Sequence, residues 1–150
     1  MLARAWLSQA HGHLYWHGFD PSAARLALAR AEAEAALRLA PDLPEAHVAM
    51  GWAEYSSRAY GRAVDEFSIA LKDLPNDAVL WRSLGVVQRR LGRWKEVTAA
   101  FERAAQLNPR DADLFWILGG QTYKFLRRYP EAVRAYERAQ SLAPDLPEPG

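Results

Sequence analysis

Apolar residues recur at intervals of three and four along most of the chain, the spacing of one face of an α-helix. One such stretch contains Trp81, Leu84, Val87 and Leu91, and another begins at Val97. Short segments with glycine, proline, asparagine or aspartate separate these stretches, as expected for turns between helices. The pattern therefore predicts an all-α protein made of paired amphipathic helices.

The helical pattern repeats with a period of 34 residues, which Pro41, Pro75 and Pro109 mark along the chain. Pro144 follows after 35 residues. Two further sets keep the 34-residue spacing: Gly51, Gly85 and Gly119, and Met50, Leu84 and Leu118. The last unit thus contains one extra residue, which we expect in the turn around Arg127 to Pro130. Tyr136 then takes the place that Phe101 has in the preceding unit.

The repeated residues resemble the tetratricopeptide repeat signature. In one unit they are Trp81, Leu84, Gly85, Gly92, Trp94, Phe101, Ala104 and Pro109. The resemblance implies a right-handed α-solenoid of about four stacked antiparallel helix pairs, in a single domain spanning residues 1–150. Its units cover approximately residues 2–41, where the fit is atypical, then 44–75, 78–109 and 112–144. It also implies a concave groove, lined by the first helix of each pair, that holds peptides or partner proteins.

Positions on the first helices that do not repeat are the candidates for ligand recognition, because packing explains those that do. The predicted groove residues are Val48, Trp52, Tyr55, Arg82, Val86, Arg89, Arg90, Trp116, Tyr123 and Lys124. Aromatic rings supply apolar contact area and arginines bind carboxylates, so the expected ligand is an acidic peptide with aromatic residues. The alternative is that the rings pack between helices and the arginines pair with acidic residues of neighbouring units.

The charge balance and the hydropathy pattern exclude several classes of partner. Nineteen Lys and Arg residues against eighteen Asp and Glu give a formal net charge of +1, so no overall field attracts nucleic acid. The turns within the units are basic and the turns between them are acidic. This places cations near helix C-termini and anions near helix N-termini, where the helix dipoles favour them. No apolar run approaches the roughly 20 residues of a membrane helix. We therefore expect a cytoplasmic protein that binds neither nucleic acid nor membranes.

Two histidines give the one hint of chemistry in the sequence. His13 and His17 stand four residues apart, a spacing that allows metal chelation on a helix, with His11 and Asp20 nearby. The zinc-protease pattern needs a glutamate beside the first histidine, but Leu14 follows His13. The sequence contains no cysteine and no recognisable catalytic triad or phosphate loop, so it predicts no enzyme, no cofactor and no metal site. His13 and His17 are the only candidates for metal ligands.

The last predicted helix looks like an internal one, because Val133, Tyr136 and Ala139 need cover from another element. Residues 143–148 repeat residues 40–45, the start of another unit, so a fragment of a longer protein is expected. Two alternatives to a binding scaffold follow. One is self-association into a homo-oligomer through Val133 and Tyr136, and the other is a regulatory segment of a larger multidomain enzyme or regulator.

Overall fold

A computed structural model describes residues 1–145, and every regular element in this range is helical. The helices are α1 (Leu2–Trp16), α2 (Ala23–Leu39), α3 (Pro44–Ser56), α4 (Tyr60–Asp73), α5 (Ala78–Arg90), α6 (Trp94–Leu107), α7 (Ala112–Ile117) and α8 (Tyr129–Leu142). A π-helical segment, Leu118–Tyr123, continues α7 without a break. The predicted all-α fold class is confirmed.

The helices form two compact units, which divide after Pro75. In the first unit, α1 packs against α2 and α3, and α3 packs against α4 around small side chains such as Ala33 and Ala49. In the second unit, α5 packs against α6, and α7 with its π-helical segment packs against α8. Phe101, Leu114 and Leu118 form the centre of this second core.

A glycine against an aromatic ring closes the helix pairs α3–α4 and α5–α6. A Cβ atom added to Gly51 would lie 2.4 Å from the ring of Phe67, and one added to Gly85 would lie 2.4 Å from the ring of Phe101. Both rings are completely buried, so they have little room to retreat. The 34-residue recurrence of glycine is therefore a steric requirement of the helix crossing.

The extra residue of the last unit lies inside its first helix, and the expected position in the turn from Arg127 to Pro130 is wrong. The turns have a common geometry, with positive φ angles of 60° at Arg58, 68° at Gly92 and 59° at Arg127. Gly92 and Arg127 are 35 residues apart, whereas the aspartates that cap α5 and α7 are 34 apart. The π-helical segment takes up the difference, because a π-turn holds one more residue than an α-turn.

The connection between α1 and α2 is longer than the others, as the sequence indicated. It covers residues 17–22, whereas residues 57–59 connect α3 to α4. Ser22 ends the connection as the N-cap of α2, where its hydroxyl accepts a hydrogen bond from the backbone N–H of Arg25 at 3.2 Å. The first helix pair therefore departs from the 34-residue register at this loop.

Candidate binding faces on the first helices

The predicted groove residues of the first unit surround a cluster of aromatic rings. Val48, Trp52 and Tyr55 are all half-buried on α3. The ring of Trp52 lies 5.4 Å from that of Tyr55 and 5.4 Å from that of buried Phe67, measured between centroids. Each ring is thus fixed on one side by packing and accessible on the other, as in many protein-binding sites.

Trp16 joins this cluster from α1, a contact that the sequence reasoning missed. Its ring centroid lies 4.7 Å from that of Trp52 and 6.0 Å from that of Tyr55. Gly12, one turn earlier on the same face, is buried beneath the Trp16 ring. This spacing of glycine and tryptophan was the available signal, but the irregular α1–α2 loop obscured its register. We call Trp16, Trp52 and Tyr55 the aromatic face.

In the second unit, Arg82 already has an acidic partner. Its guanidinium lies 3.1 Å from a carboxylate oxygen of Asp111, whose other oxygen accepts a hydrogen bond from the backbone N–H of Leu114 at 2.9 Å. Asp111 therefore caps α7 and neutralises Arg82 at the same time. For this residue the alternative interpretation, an arginine paired between helix pairs, describes the geometry.

The other predicted groove cations of this unit lie at the C-terminal ends of its first helices. Arg89 is half-buried and donates a hydrogen bond to the side-chain oxygen of Gln121. Arg90 and Lys124 are exposed. Positive charge is favourable at these positions because the helix dipole places partial negative charge there. We call Arg89, Arg90 and Lys124 the basic face.

Val86 and Trp116 are half-buried on the first helices of the same unit. The Trp116 ring packs edge-on against Tyr136, with 5.2 Å between centroids. Trp116 thus shares its surface between the core of its own helix pair and the solvent.

Tyr123 does not lie on an open face, which corrects the expectation for this residue. It is 8% exposed, its hydroxyl donates to a carboxylate oxygen of Glu102 at 2.7 Å, and Arg128 lies 4.7 Å above its ring. Burial, followed by the hydrogen bond to Glu102, raises the pKa of Tyr123. The π-helical insertion turns Tyr123 inward to the position that buried Gln88 has in the preceding pair.

The two candidate metal ligands stack on each other. The rings of His13 and His17 are 5.7 Å apart and within 9° of parallel. The two neighbouring side chains, His11 and Asp20, both contact Arg25. Its guanidinium lies 2.9 Å from Nδ1 of His11 and 2.6 Å from a carboxylate oxygen of Asp20. Hydrogen bonds from Ser22 and Arg25 lower the pKa of Asp20. Residues 1–145 contain no group of three metal-binding side chains.

The residues expected to need cover on α8 differ in their environment. Ala139 is completely buried by its own helix pair, contrary to the expectation. Tyr136 is half-buried and packs against Gly119 and Gly120. Val133 is 53% exposed, so it provides most of the accessible apolar surface among the three.

The repeated geometry agrees with a known family. The sequence model described as tetratricopeptide repeat matches residues 112–146, the segment of α7 and α8. The segment of α7 and α8 is a tetratricopeptide repeat. Compared with the preceding pair α5–α6, this repeat has one additional residue in its π-helical segment and keeps the same turn geometry.

Curated relatives match parts of the repeat region. The peroxisomal targeting signal receptor of Candida glabrata is 35% identical over 66 residues, which are 44% of this chain and 11% of that protein. Anaphase-promoting complex subunit 3 of Schizosaccharomyces pombe is 27% identical over 107 residues, 71% of this chain and 16% of that protein. The chain therefore spans a small part of the length of these relatives.

Solved structures show the same fold. A crystal structure of MamA has a TM-score of 0.73 and 21% identity, covering 81% of this chain and 70% of that one. A MamA double mutant has a TM-score of 0.74 and 22% identity, covering 95% and 77%. At this level of identity the likeness concerns the arrangement of the tetratricopeptide helix pairs. In the described part of this chain, none of those helices combines the length and apolar character of a membrane span.

Proposed function

We propose that this tetratricopeptide repeat protein is a binding scaffold that holds an acidic, aromatic-containing segment of a partner protein on the exposed faces of its first helices. One observation carries the proposal. The repeated glycine and aliphatic positions of the first helices, such as Leu84 and Gly85, are buried, whereas nine of the ten predicted groove residues keep accessible surface. The packing of the repeats leaves these nine side chains accessible, so they are available for recognition.

The aromatic face suits apolar and aromatic side chains of the partner. Trp16, Trp52 and Tyr55 hold one another in edge-on or tilted contacts, so little side-chain entropy is lost when a ligand binds. Tryptophan and tyrosine are also enriched among the residues that dominate binding energy at protein interfaces. This face would therefore supply most of the affinity.

The basic face suits carboxylates. Arg90 and Lys124 are exposed, and the planar guanidinium of an arginine binds a carboxylate through two parallel hydrogen bonds. Arg82 contributes less in this proposal, because a ligand would have to compete with Asp111 for it. The acidic preference thus rests on Arg89, Arg90 and Lys124.

The names of the matched relatives support a binding role over catalysis. One is named as a receptor and another as a subunit of a complex. A protein or peptide partner, a cytoplasmic location and the absence of enzymatic activity form one proposal. A regulatory role within a larger protein is compatible with the same binding faces.

The experiment compares two charge reversals of equal size. The variant Arg90→Glu with Lys124→Glu changes the basic face, while Arg93→Glu with Lys95→Glu changes exposed cations near the turn to α6. Binding to fluorescent peptides rich in Asp, with and without Trp or Phe, is measured by anisotropy. We expect the first variant to weaken binding at least about tenfold, since two charge-assisted contacts are reversed.

The control variant has the same net charge, so it should lose only the long-range attraction and bind about as well as wild type in 0.15 M salt. Replacing the aromatic residues of the peptide by alanine should weaken binding to every variant. Equal losses for both charge reversals, or no binding by any acidic aromatic peptide, would contradict the proposal.

A further inference from the structure

The second unit contains a cavity that none of the accessible groove residues line. It has a volume of about 480 Å³ and lies between α6 and α8. Phe115, Leu118 and Ala135 provide an apolar floor, and Tyr123 forms part of the wall. Cavities of this size hold small ligands or single large side chains.

The cavity depends on the irregular helix of this unit. The π-helical segment turns Tyr123 inward, where its ring lies under the Arg128 guanidinium and its hydroxyl is bonded to Glu102. These contacts fix the Tyr123 ring in the cavity wall. The wall is thus built before any ligand arrives, which reduces the entropy lost on binding.

Two arginines and two glutamates line the rim of the cavity, and the charge of Arg134 acts on Glu131 without a direct ion pair. Arg128 lies 3.0 Å from Glu131 and 3.9 Å from Glu102, so these three charges form one network. Arg134 also lines the cavity and is exposed, and it has no hydrogen bond or ion pair within residues 1–145. The rim therefore presents one guanidinium whose capacity for two parallel hydrogen bonds is unused.

We propose that this cavity binds an aromatic carboxylate, with the ring on the floor formed by Phe115 and Leu118 and the carboxylate paired with Arg134. A ring fits because the floor is apolar and includes the aromatic side chain of Phe115. The carboxylate fits because the guanidinium of Arg134 makes no hydrogen bond within the described residues, while Arg128 is already held by Glu131 and Glu102. The site is separate from the aromatic and basic faces.

The experiment uses three probes and the intact chain. N-acetyltryptophan carries a ring and a carboxylate, like the C-terminal residue of a peptide, and N-acetyltryptophanamide is the same molecule without the charge. 3-Phenylpropionate represents a free small-molecule acid. Binding is followed by NMR, through shifts of the backbone amides of Ala105 and Ala135, which line the cavity.

We expect both acids to shift these amides and the neutral amide to bind about tenfold more weakly. Arg134→Gln should weaken the acids about tenfold and leave the neutral probe unchanged, whereas Arg110→Gln, at an exposed arginine outside the cavity, should change neither. Ala105→Leu, which narrows the cavity, should weaken all three probes. Tighter binding of N-acetyltryptophan points to a peptide terminus as the source, and tighter binding of 3-phenylpropionate points to a small molecule.

Two results would overturn this inference. One is that neither acid shifts the cavity amides at a concentration of about 10 mM, because the dissociation constant would then be well above that of a specific site. The other is that Arg134→Gln binds both acids as well as wild type while its spectrum shows an unchanged fold. Neither result bears on peptide binding by the first-helix faces, which different variants test.

Discussion

The helix pairs α5–α6 and α7–α8 have the same framework but differ in how the first helix packs against the aromatic ring of the second. In α5–α6, a regular α-helix brings Gly85 directly against Phe101. In α7–α8, the corresponding helix changes to a π-helix at Leu118, and two glycines meet the larger Tyr136. A Cβ atom at Gly120 would lie 2.5 Å from the Tyr136 hydroxyl, so both the tyrosine and the extra glycine belong to the same arrangement.

The comparison teaches where this fold accepts an insertion. The hydrogen bond that closes the turn runs from Arg93 N–H to the Gln88 carbonyl in one pair and from Arg128 N–H to the Tyr123 carbonyl in the other. The turn geometry is therefore kept, and the additional residue is absorbed one turn earlier in the helix. As a result, Tyr123 faces the core and Lys124 remains exposed.

Single-residue deletions should produce the largest difference in stability between the two helix pairs. Gly120 lies within the π-helical segment, so its deletion should convert this segment to a regular α-helix and preserve stability. Deletion of Val86 should rotate buried Val87 and Gln88 out of the core and cost on the order of 4 kcal/mol. Urea unfolding followed by circular dichroism measures both, and a deletion of Gly120 as damaging as that of Val86 would refute the assignment of the extra residue.

Alanine at the recurring glycine position should give a smaller difference in stability between the two helix pairs. Gly85→Ala places a methyl group against an immobile buried ring and should cost about 1–3 kcal/mol. Gly119→Ala should cost less, because its nearest contacts would be 3.1 Å rather than 2.4 Å. Gly61→Ala, with no neighbouring atoms within 4 Å, should stabilise by about 0.5–1 kcal/mol. The same urea titration gives the order, and equal losses at Gly85 and Gly119 would contradict it.

The inward Tyr123 should make the stability of the fold depend on pH, an effect that has no counterpart in α5–α6. Its pKa is raised in the folded state, so above pH 10 the unfolded chain loses the phenolic proton while the folded chain keeps it. Stability from this group is present below that pH and falls as the pH rises. Tyr123→Phe should therefore flatten the decline of melting temperature between pH 9 and about pH 11. Tyr129→Phe, at an exposed tyrosine, is the control. An unchanged decline in the Tyr123 variant would contradict the prediction.

The smallest expected effect concerns the helix caps. Asp111→Asn keeps a side-chain oxygen for the cap but removes the charge that pairs with Arg82, so it should cost at most about 1 kcal/mol, and less in high salt. Asp77 caps α5 in the same way and has no ion pair within residues 1–145, so Asp77→Asn should show no such salt dependence. Thermal unfolding at two salt concentrations tests this difference, and parallel behaviour of both variants would argue against the ion pair.

The candidate faces were predictable in part. Spacing along α3 and α5 identified positions that stay accessible, because an α-helix places residues three and four apart on one side. Tyr123 failed this rule, since it assumes a regular helix up to the turn. Trp16 was missed because its contact with Trp52 joins helices separated by an irregular loop.

The sequence by itself determined the helix pairs, their period and the glycine and aromatic positions, because these follow from local periodicity and from recurring contacts within one repeat. It also required an additional residue between Gly119 and Tyr136, but any position in that interval gives the same count. Tertiary structure decided the position, since only the packed helices show which backbone hydrogen bonds are displaced. It likewise decided that Arg82 pairs with Asp111, because the energy of that pair depends on distance in space.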